Sequence, residues 1–356
     1  MAVEETLSKI TQDGASDIFI VAGLPLSYKR KGVFVEESSE KLMPADTAVL
    51  ITEIYELAGG RDMTRLQKTG DDDFSFAIRG VARFRINAYK QRGSLSAVIR
   101  VITFRIPDPT ERNIPENIIE FADRKKGMVL VTGPAGSGKS TTLACMIDHI
   151  NSTRHSHIIT LEDPLEYLHM HKMSIVSQRE VVTDTESYLT ALRASLRQSP
   201  DVILLGEMRD YETMNVAMTA AETGHLILST LHTIGASNTI DRIIDAFPPN
   251  QQHQIALQLS MVLQAVVSQQ LVPSTDGGLV PAFEIMTLTP AIRNMIRESK
   301  VHQIDGMIYA SAADDMIAMD TSLLNLYKDG KITDKTALTY ATNAELLQKK
   351  ISLLNK

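Results

Sequence analysis

The octapeptide from Gly133 to Ser140, Gly-Pro-Ala-Gly-Ser-Gly-Lys-Ser, has the composition and spacing of a phosphate-binding loop. Its glycines let the backbone wrap closely, so that consecutive N–H groups point at phosphate oxygens. The helix that follows adds the positive end of its dipole. We expect Lys139 to reach the β- and γ-phosphates of ATP and the Ser140 hydroxyl to ligate Mg²⁺. The expected nucleotide-binding residues are Gly133, Pro134, Ala135, Gly136, Ser137, Gly138, Lys139, Ser140 and Thr141.

Hydrolysis of ATP also requires a carboxylate that holds the metal or orients water. Glu162 follows the apolar segment 158–161, and Glu207 follows residues 202–206. Each acid could instead cap the amino end of a helix. Because both follow strands of the same inferred sheet, we expect Glu162 to activate water and Glu207 to position metal or water.

Four histidines need a separate judgement. His225 and His232 flank the apolar segment 226–230, and a histidine beside a strand is more often a core or hinge residue than a catalyst. His169 and His171 lie in one loop, but no nearby residue completes a metal site. The residue pattern alone therefore leaves the role of His225 and His232 open.

The second part of the chain has the pattern that would position these groups. Apolar segments at 128–132, 157–161, 202–205 and 226–230 alternate with helical patterns. This alternation predicts a parallel sheet with helices on both faces, and such sheets bind ligands at the carboxyl ends of their strands. The phosphate loop and both acids follow such ends. After about residue 315 the pattern is helical.

The pattern of residues 1–106 predicts a smaller mixed α/β domain. Strands are expected at 17–21, 74–78 and 81–89, and a helix at 44–57. Prolines in residues 107–115 predict a semi-rigid linker, and residues 116–356 would form the second domain. Residues 246–275 carry no charged side chain, but glutamines interrupt them; a buried or subunit-facing amphipathic helix is therefore expected, with no transmembrane segment.

Composition limits the possible functions. The net charge is −7, and all the excess acid lies beyond residue 112, which argues against a nucleic-acid partner. The single cysteine, Cys145, excludes an internal disulfide and any multi-cysteine zinc site. The amino terminus lacks the pattern of a secretory signal, so we expect a soluble protein of the cytoplasm.

Four segments, in order, resemble the characteristic motifs of the type II/IV secretion ATPases: Walker A at 133–142, the Asp box at 159–169, an atypical Walker B with Glu207 at 202–210, and the His box at 223–233. The resemblance covers nearly the whole chain. Segments 15–20, 74–89, 177–181 and 291–298 resemble the branch that retracts type IV pili, the PilT family. Assembly and secretion ATPases of this family usually carry a four-cysteine zinc module, which one cysteine excludes.

The resemblance implies an α/β fold with a PAS-like α+β domain, a RecA-like P-loop NTPase domain and a C-terminal helical appendage. It also implies a homohexamer with ATP bound between domains. Arg83, Arg85 and Arg100 would approach the phosphates from the N-terminal domain, and His225 and His232 would sense their state. Arg83 and Arg85 lie two apart on a predicted strand and therefore share a face, which could also be a solvated basic surface.

By the same resemblance, the expected function is a motor ATPase that couples hydrolysis to pilus retraction, pilin disassembly and twitching motility. Its partner would be an inner-membrane pilus platform protein, and it would associate peripherally with the inner face of the cytoplasmic membrane. Val182, residues 198–200 and residues 234–235 depart from the family pattern. The segment 289–299 could equally be an ordinary surface helix.

Three alternatives stay open. The first is a pilus-assembly or type II secretion motor of the same superfamily. The second is a nucleic-acid translocase with a similar core, which the acidic charge disfavours. The third is a nucleotide-gated scaffold without useful turnover, which the two acids at 162 and 207 disfavour.

Overall fold

The computed structural model describes residues 3–30, 32–102, 104–311 and 315–354. The chain forms two compact units. The first consists of Met1–Arg105 with Glu166–Leu168, and the second of Ile106–Leu165 with His169–Lys356.

The first unit is an antiparallel sheet of six strands with helices packed against it. Its helices are α1 (Val3–Gln12), α2 (Pro44–Leu57) and α3 (Thr64–Thr69), and its strands are β1 (Asp17–Ile20), β2 (Pro25–Arg30), β3 (Val33–Lys41), β4 (Asp71–Ile78), β5 (Ala82–Gln91) and β6 (Ser94–Ile102). The strand order is β3-β2-β1-β6-β5-β4. In β4 and β5 every second residue is buried, because one face of the sheet packs on the helices and the other does not.

Local sequence explains the helix predicted at 44–57, which the structure confirms residue for residue. Pro44 occupies the first turn, where its missing N–H costs nothing. The Asp46 carboxylate accepts the Met43 backbone N–H at 2.7 Å, which satisfies one free donor at the helix start.

A buried carboxylate ties α2 to the strand that follows α3. Asp72 on β4 is 1% exposed, and it accepts hydrogen bonds from the Tyr55 hydroxyl at 2.9 Å and from Arg61 Nε and Nη2 at 3.0 and 2.9 Å. Burial opposes the ionised form, but the bonds from Arg61 and Tyr55 outweigh it and leave the pKa of Asp72 lowered. The charge is therefore part of the core of this unit.

The second unit is built on a seven-stranded sheet. Its strands are β7 (Gly127–Thr132), β8 (His157–Glu162), β9 (Ile175–Glu180), β10 (Val202–Leu205), β11 (Leu226–Leu231), β12 (Leu263–Pro273) and β13 (Leu279–Thr287). The order is β13-β12-β7-β11-β10-β8-β9, parallel throughout except for the antiparallel pair β12–β13. The four apolar segments predicted as strands are β7, β8, β10 and β11.

Helices cover both faces of this sheet, as the alternating pattern predicts. They are α4 (Glu116–Glu120), α5 (Lys139–Thr153), α6 (Tyr188–Ser195), α7 (Tyr211–Glu222), α8 (Ala236–Asp245), α9 (Pro249–Val262), α10 (Pro290–Arg297), α11 (Ile304–Ala310), α12 (Met319–Lys328), α13 (Asp334–Tyr340) and α14 (Ala344–Leu354). One core lies on the side of α4 and α5, and a second on the side of α6 to α11. The last three helices form a further core with β12 and β13.

One expectation about an apolar segment needs correction. Residues 246–275 are not one helix, because α9 ends at Val262 and β12 begins at Leu263. Strand β12 pairs with β7 and β13 and is buried along nearly all its length, so its sequence shows no alternation. Within the proline-rich segment, Thr110–Arg112 forms a 3₁₀ turn and Ile114 is buried in the second unit. Of the helices in the described ranges, none combines the length and apolarity that crossing a membrane requires.

Candidate nucleotide site

The phosphate loop connects the fully buried strand β7 to the first turn of α5. Gly138 is the N-cap of α5 with φ +90°, a left-handed conformation that favours glycine. Gly133 has φ +140°, and a Cβ built there would lie 2.1 Å from the Gln269 backbone oxygen. The glycines predicted to let the backbone wrap closely are therefore required by geometry at these two positions.

Gln269 on β12 is a supporting residue that sequence reasoning missed. Its side chain is buried, and its Oε1 accepts the Thr142 hydroxyl of α5 at 2.7 Å. A Cβ on Gly138 would lie 2.8 Å from its Nε2. Gln269 thus holds the loop and the first turn of α5 from the neighbouring strand. The sequence feature that points to it is a pair of glutamines in an otherwise apolar stretch. Such glutamines are expected to be buried with hydrogen-bond partners.

Lys139 is 8% exposed and folds back on its own loop. Its Nζ donates to the backbone oxygens of Gly133 at 2.8 Å and Pro134 at 2.9 Å, and lies 3.5 Å from His232 Nδ1. The ammonium is therefore held at the mouth of the loop by groups that a phosphate would replace.

His232 links this lysine to the Walker B acid. His232 Nε2 lies 3.5 Å from Glu207 Oε2, on the side of the ring opposite Nδ1. An ammonium can only donate and a carboxylate can only accept, so a neutral imidazole with its proton on Nε2 satisfies both neighbours. Residues 93 positions apart in sequence, Lys139 and His232, are brought together here.

Neither acid is a helix cap, so that alternative is wrong for both. The side chain of Asp210, and not that of Glu207, accepts the Thr213 backbone N–H at the start of α7. Glu207 is instead paired with Arg209 Nη2 at 2.6 Å. Glu162 ends β8, and the next regular element is strand β9.

The order of strands sets the order of groups along the carboxyl edge of the sheet. From β7 through β11 and β10 to β8, the edge presents the phosphate loop, His232, Glu207 and Glu162 in turn. Neighbouring strands are spaced by about 4.8 Å, which puts the backbone of Glu162 about 14 Å from that of β7. The Glu162 carboxylate accepts from Gln178 Nε2 at 3.4 Å. The two acids therefore have distinct surroundings and distances from the loop.

Tyr188 at the start of α6 is a second residue that the sequence did not indicate. A Cβ on Gly206 would lie 2.8 Å from its hydroxyl oxygen, which places that oxygen beside the strand end that precedes Glu207. Burial, together with the negative charges of Glu207, Asp163 and Glu162, raises its pKa. The hydroxyl is thus a neutral group next to both acids.

His225 is not brought to the loop. It precedes β11, its backbone oxygen accepts the Gly127 N–H at the start of β7, and its Nδ1 lies 2.9 Å from the Ala220 oxygen. Because the strands are parallel, this is the edge opposite the phosphate loop, about 20 Å away along β7. The expectation that His225 senses phosphate is therefore not met within its own subunit, whereas His232 lies beside Lys139.

The three arginines lie on one face of the first unit's sheet. Arg83 and Arg85 alternate with the buried Phe84 and Ile86 on β5, and Arg100 on β6 is the register partner of Arg85. Arg83 Nη2 donates to Ser75 Oγ at 2.6 Å, and Arg100 Nε pairs with Asp17 at 3.2 Å. The predicted common face is confirmed. Their relation to phosphates stays a prediction.

The donor set near the loop fits Mg²⁺. Within the described ranges no cluster of three or more His, Cys, Asp or Glu side chains could hold a metal by itself. The available groups are the Ser140 hydroxyl in the first turn of α5 and the Glu207 carboxylate. Mg²⁺ binds through one or two protein oxygens plus phosphates and water, so this sparse set suits a metal carried by a nucleotide.

A family model described as "Type II/IV secretion system protein" matches residues 1–316. A type IV pilus retraction ATPase, PilT, of Pseudomonas aeruginosa is 43% identical over 337 residues, which is 95% of this chain and 97% of the relative. The chain is a member of the PilT family of type II/IV secretion ATPases. The PilU type IV pilus ATPase of the same organism is 39% identical to this chain. The match covers 99% of this chain and 92% of the PilU chain.

A solved structure described as the pilus retraction motor PilT with bound ADP matches this PilT-family chain with a TM-score of 0.89 and 44% identity. It covers 98% of this chain and 99% of that one. The resemblance to this family inferred from four sequence motifs is thereby confirmed. The mixed α/β architecture is confirmed with it.

Proposed function

We propose that this protein is an ATP-hydrolysing motor that drives retraction of type IV pili. The observation that carries the proposal is the series Lys139, His232 and Glu207, which spans the carboxyl edge beside the phosphate loop with contacts of 3.5 Å. Family membership and the close relative named for pilus retraction support the biological role.

The site residues have separate roles in this proposal. Lys139 leaves the carbonyl oxygens of Gly133 and Pro134 and binds the β- and γ-phosphates, while the loop N–H groups hold the remaining phosphate oxygens. His232 then loses its lysine neighbour, and its contact with Glu207 reports whether a γ-phosphate is present. Glu162 activates the attacking water, and Glu207 orients metal or water.

Magnesium fits this arrangement through the Ser140 hydroxyl and, partly through water, Glu207. When bound, it would neutralise phosphate charge in the transition state. The protein's own part is to hold the Glu207 carboxylate in position, which its ion pair with Arg209 at 2.6 Å supports.

At the level of architecture, we infer a PAS-like domain over 1–106, a linker over 107–115 and a RecA-like domain with a helical C-terminal part over 116–356. We infer a homohexamer in which Arg83, Arg85 and Arg100 complete a nucleotide site. Three guanidinium groups that share one face of the sheet could stabilise the charge on the transferred phosphoryl group. Arg100 would first leave Asp17.

The cellular part of the proposal concerns partners and place. The motor would act on an inner-membrane platform protein, and through it on pilin, from the cytoplasmic face of the membrane. No nucleic acid is expected as a partner, because the chain carries a net charge of −7.

The direct test is steady-state ATP hydrolysis by the purified protein, with its mass measured by light scattering. We expect turnover by a hexamer, loss of turnover in Lys139→Ala, and retained ATP binding with turnover lowered about 10²-fold or more in Glu207→Gln. Glu212→Gln, an exposed acid on α7, is the matched control and should behave as wild type. Unchanged turnover in Glu207→Gln would exclude its assigned role, and ATP binding without turnover by the wild type would favour a scaffold.

A cellular deletion separates the motor alternatives. Loss of a retraction motor leaves cells with excess pili, whereas loss of an assembly motor leaves bald cells. Loss of a secretion motor would leave the number of pili unchanged. Stimulation of ATP turnover by duplex DNA would instead support the translocase alternative.

A further inference from the structure

A cavity of about 560 Å³ lies in the second unit, and no residue of the phosphate loop lines it. The amino end of α8, strands β12 and β13, and helices α11 to α14 enclose it. Its size is in the range of small-molecule binding sites. The side chains that decide its chemistry are Gln270, Glu284, Asp305, Tyr309, Asp320 and Tyr340.

Two of its acidic groups are held rigidly by backbone donors. Glu284 Oε1 accepts the Ala236 N–H at 2.8 Å, and the two Asp320 oxygens accept the N–H groups of Thr342 and Asn343 at 2.7 and 2.9 Å. A carboxylate has about four lone-pair positions, so each keeps acceptor capacity towards the cavity. Burial raises the pKa of Glu284, and Asp305 and Asp320 add like charge to it.

The side chain of Gln270 points to a ligand independently of the acidic groups. Its side chain lines the cavity and is only 8% exposed, yet it has no hydrogen-bond partner within the described part of the chain. The amide atoms are not among the side-chain atoms shut off from solvent, so they face the cavity, where a ligand or water can satisfy them. Its neighbour Gln269 uses the same kind of amide to hold the phosphate loop.

The charge of the lining indicates the kind of ligand. Three carboxylic acids line the cavity, and no lysine, arginine or histidine does so among the residues that the structure describes. We propose that this cavity binds a small organic diamine, with its two ammonium groups among the three acids and Gln270 as an amide partner.

Calorimetric titration of the full-length, nucleotide-free protein with putrescine (1,4-diaminobutane) tests the proposal. We expect saturable binding of one diamine per chain and no binding of 1,4-butanediol, which has the same length without charge. Asp305→Asn and Gln270→Leu should each weaken binding about tenfold. The matched control is Glu56→Gln, an exposed acid on α2 of the first unit, and it should leave the affinity unchanged.

Hydrogen exchange locates the bound diamine. Putrescine should slow exchange in residues 234–238 and 339–346, which line the cavity, and not in α2. Asp305 is exposed, so its variant will fold even if a core variant at Gln270 does not. The proposal is overturned if putrescine shows no saturable binding, if butanediol binds equally, or if Asp305→Asn and Glu56→Gln bind putrescine alike.

Discussion

The backbone of Gly133 passes so close to Gln269 that no side chain fits between them, since a Cβ at 133 would lie 2.1 Å from the Gln269 carbonyl oxygen. Gln269 belongs to β12, which pairs with β7 immediately before the loop. The shape of the phosphate loop therefore depends on a strand more than a hundred residues further along the chain.

Gly133→Ala should weaken nucleotide binding about 10²-fold, because overpacking and a disfavoured backbone each cost about 1–3 kcal/mol. Gly136→Ala is the matched control. Gly136 also has positive φ, at +77°, but no atom lies within 4 Å of its would-be Cβ, so a loss of about tenfold or less is expected. Titration with a fluorescent ADP analogue measures both. Equal losses would mean that the contact with Gln269 is unimportant.

Gln269→Leu should lower the free energy of unfolding by about 1–3 kcal/mol, because it leaves the Thr142 hydroxyl buried without its acceptor. Replacing both partners, in Gln269→Leu with Thr142→Val, should recover part of that loss, since no polar group is then stranded. Urea unfolding of the wild type, both single variants and the double variant gives the coupling energy. If the loss of unfolding free energy in the double variant equals the sum of the two single losses, the hydrogen bond between Gln269 and Thr142 does not contribute as proposed.

Asp72→Asn should destabilise the first unit by about 2 kcal/mol at pH 7, because it removes the charge of a buried carboxylate that accepts hydrogen bonds from the partly exposed Arg61. The folded-state pKa of Asp72 is lowered from 3.8, so its stabilisation is complete above 3.8 and is lost as pH falls through the folded value. The difference between variant and wild type should therefore shrink below pH 3.8. Urea unfolding across pH measures it, with the exposed Asp73→Asn as control. A difference independent of pH would show that the charge is not the cause.

Val182→Gly should stabilise the protein by about 1 kcal/mol. Val182 has φ +72° and is 85% exposed, so a β-branched residue occupies a left-handed conformation without any packing in return. Thermal unfolding compares wild type, Val182→Gly and Val182→Ala. If the alanine variant gains as much as glycine, relief of β-branching rather than of positive φ is the cause.

Local patterns were sufficient for much of this protein. The phosphate loop, helix α2 and strands β7, β8, β10 and β11 follow from spacing, capping and apolar periodicity within a few residues. The family followed from four motifs in order. These features depend on steric limits and hydrogen bonds between near neighbours, which a short segment carries with it.

The tertiary structure decided which side chains lie next to each other. His225 and His232 have similar sequence surroundings, but β11 carries His232 to Lys139 and leaves His225 at the far edge. The second half of residues 246–275 became a strand because β7 and β13 pair with it, which outweighs a pattern that fits a helix equally well. Gln269 and Gln270 stand out locally only as two glutamines in an apolar stretch, and the cavity has no local signature. The sequence by itself determined which reactive side chains the protein has. Long-range strand pairing determined which of them lie close together. Contacts between distant residues depend on strand register and packing, which no short segment encodes.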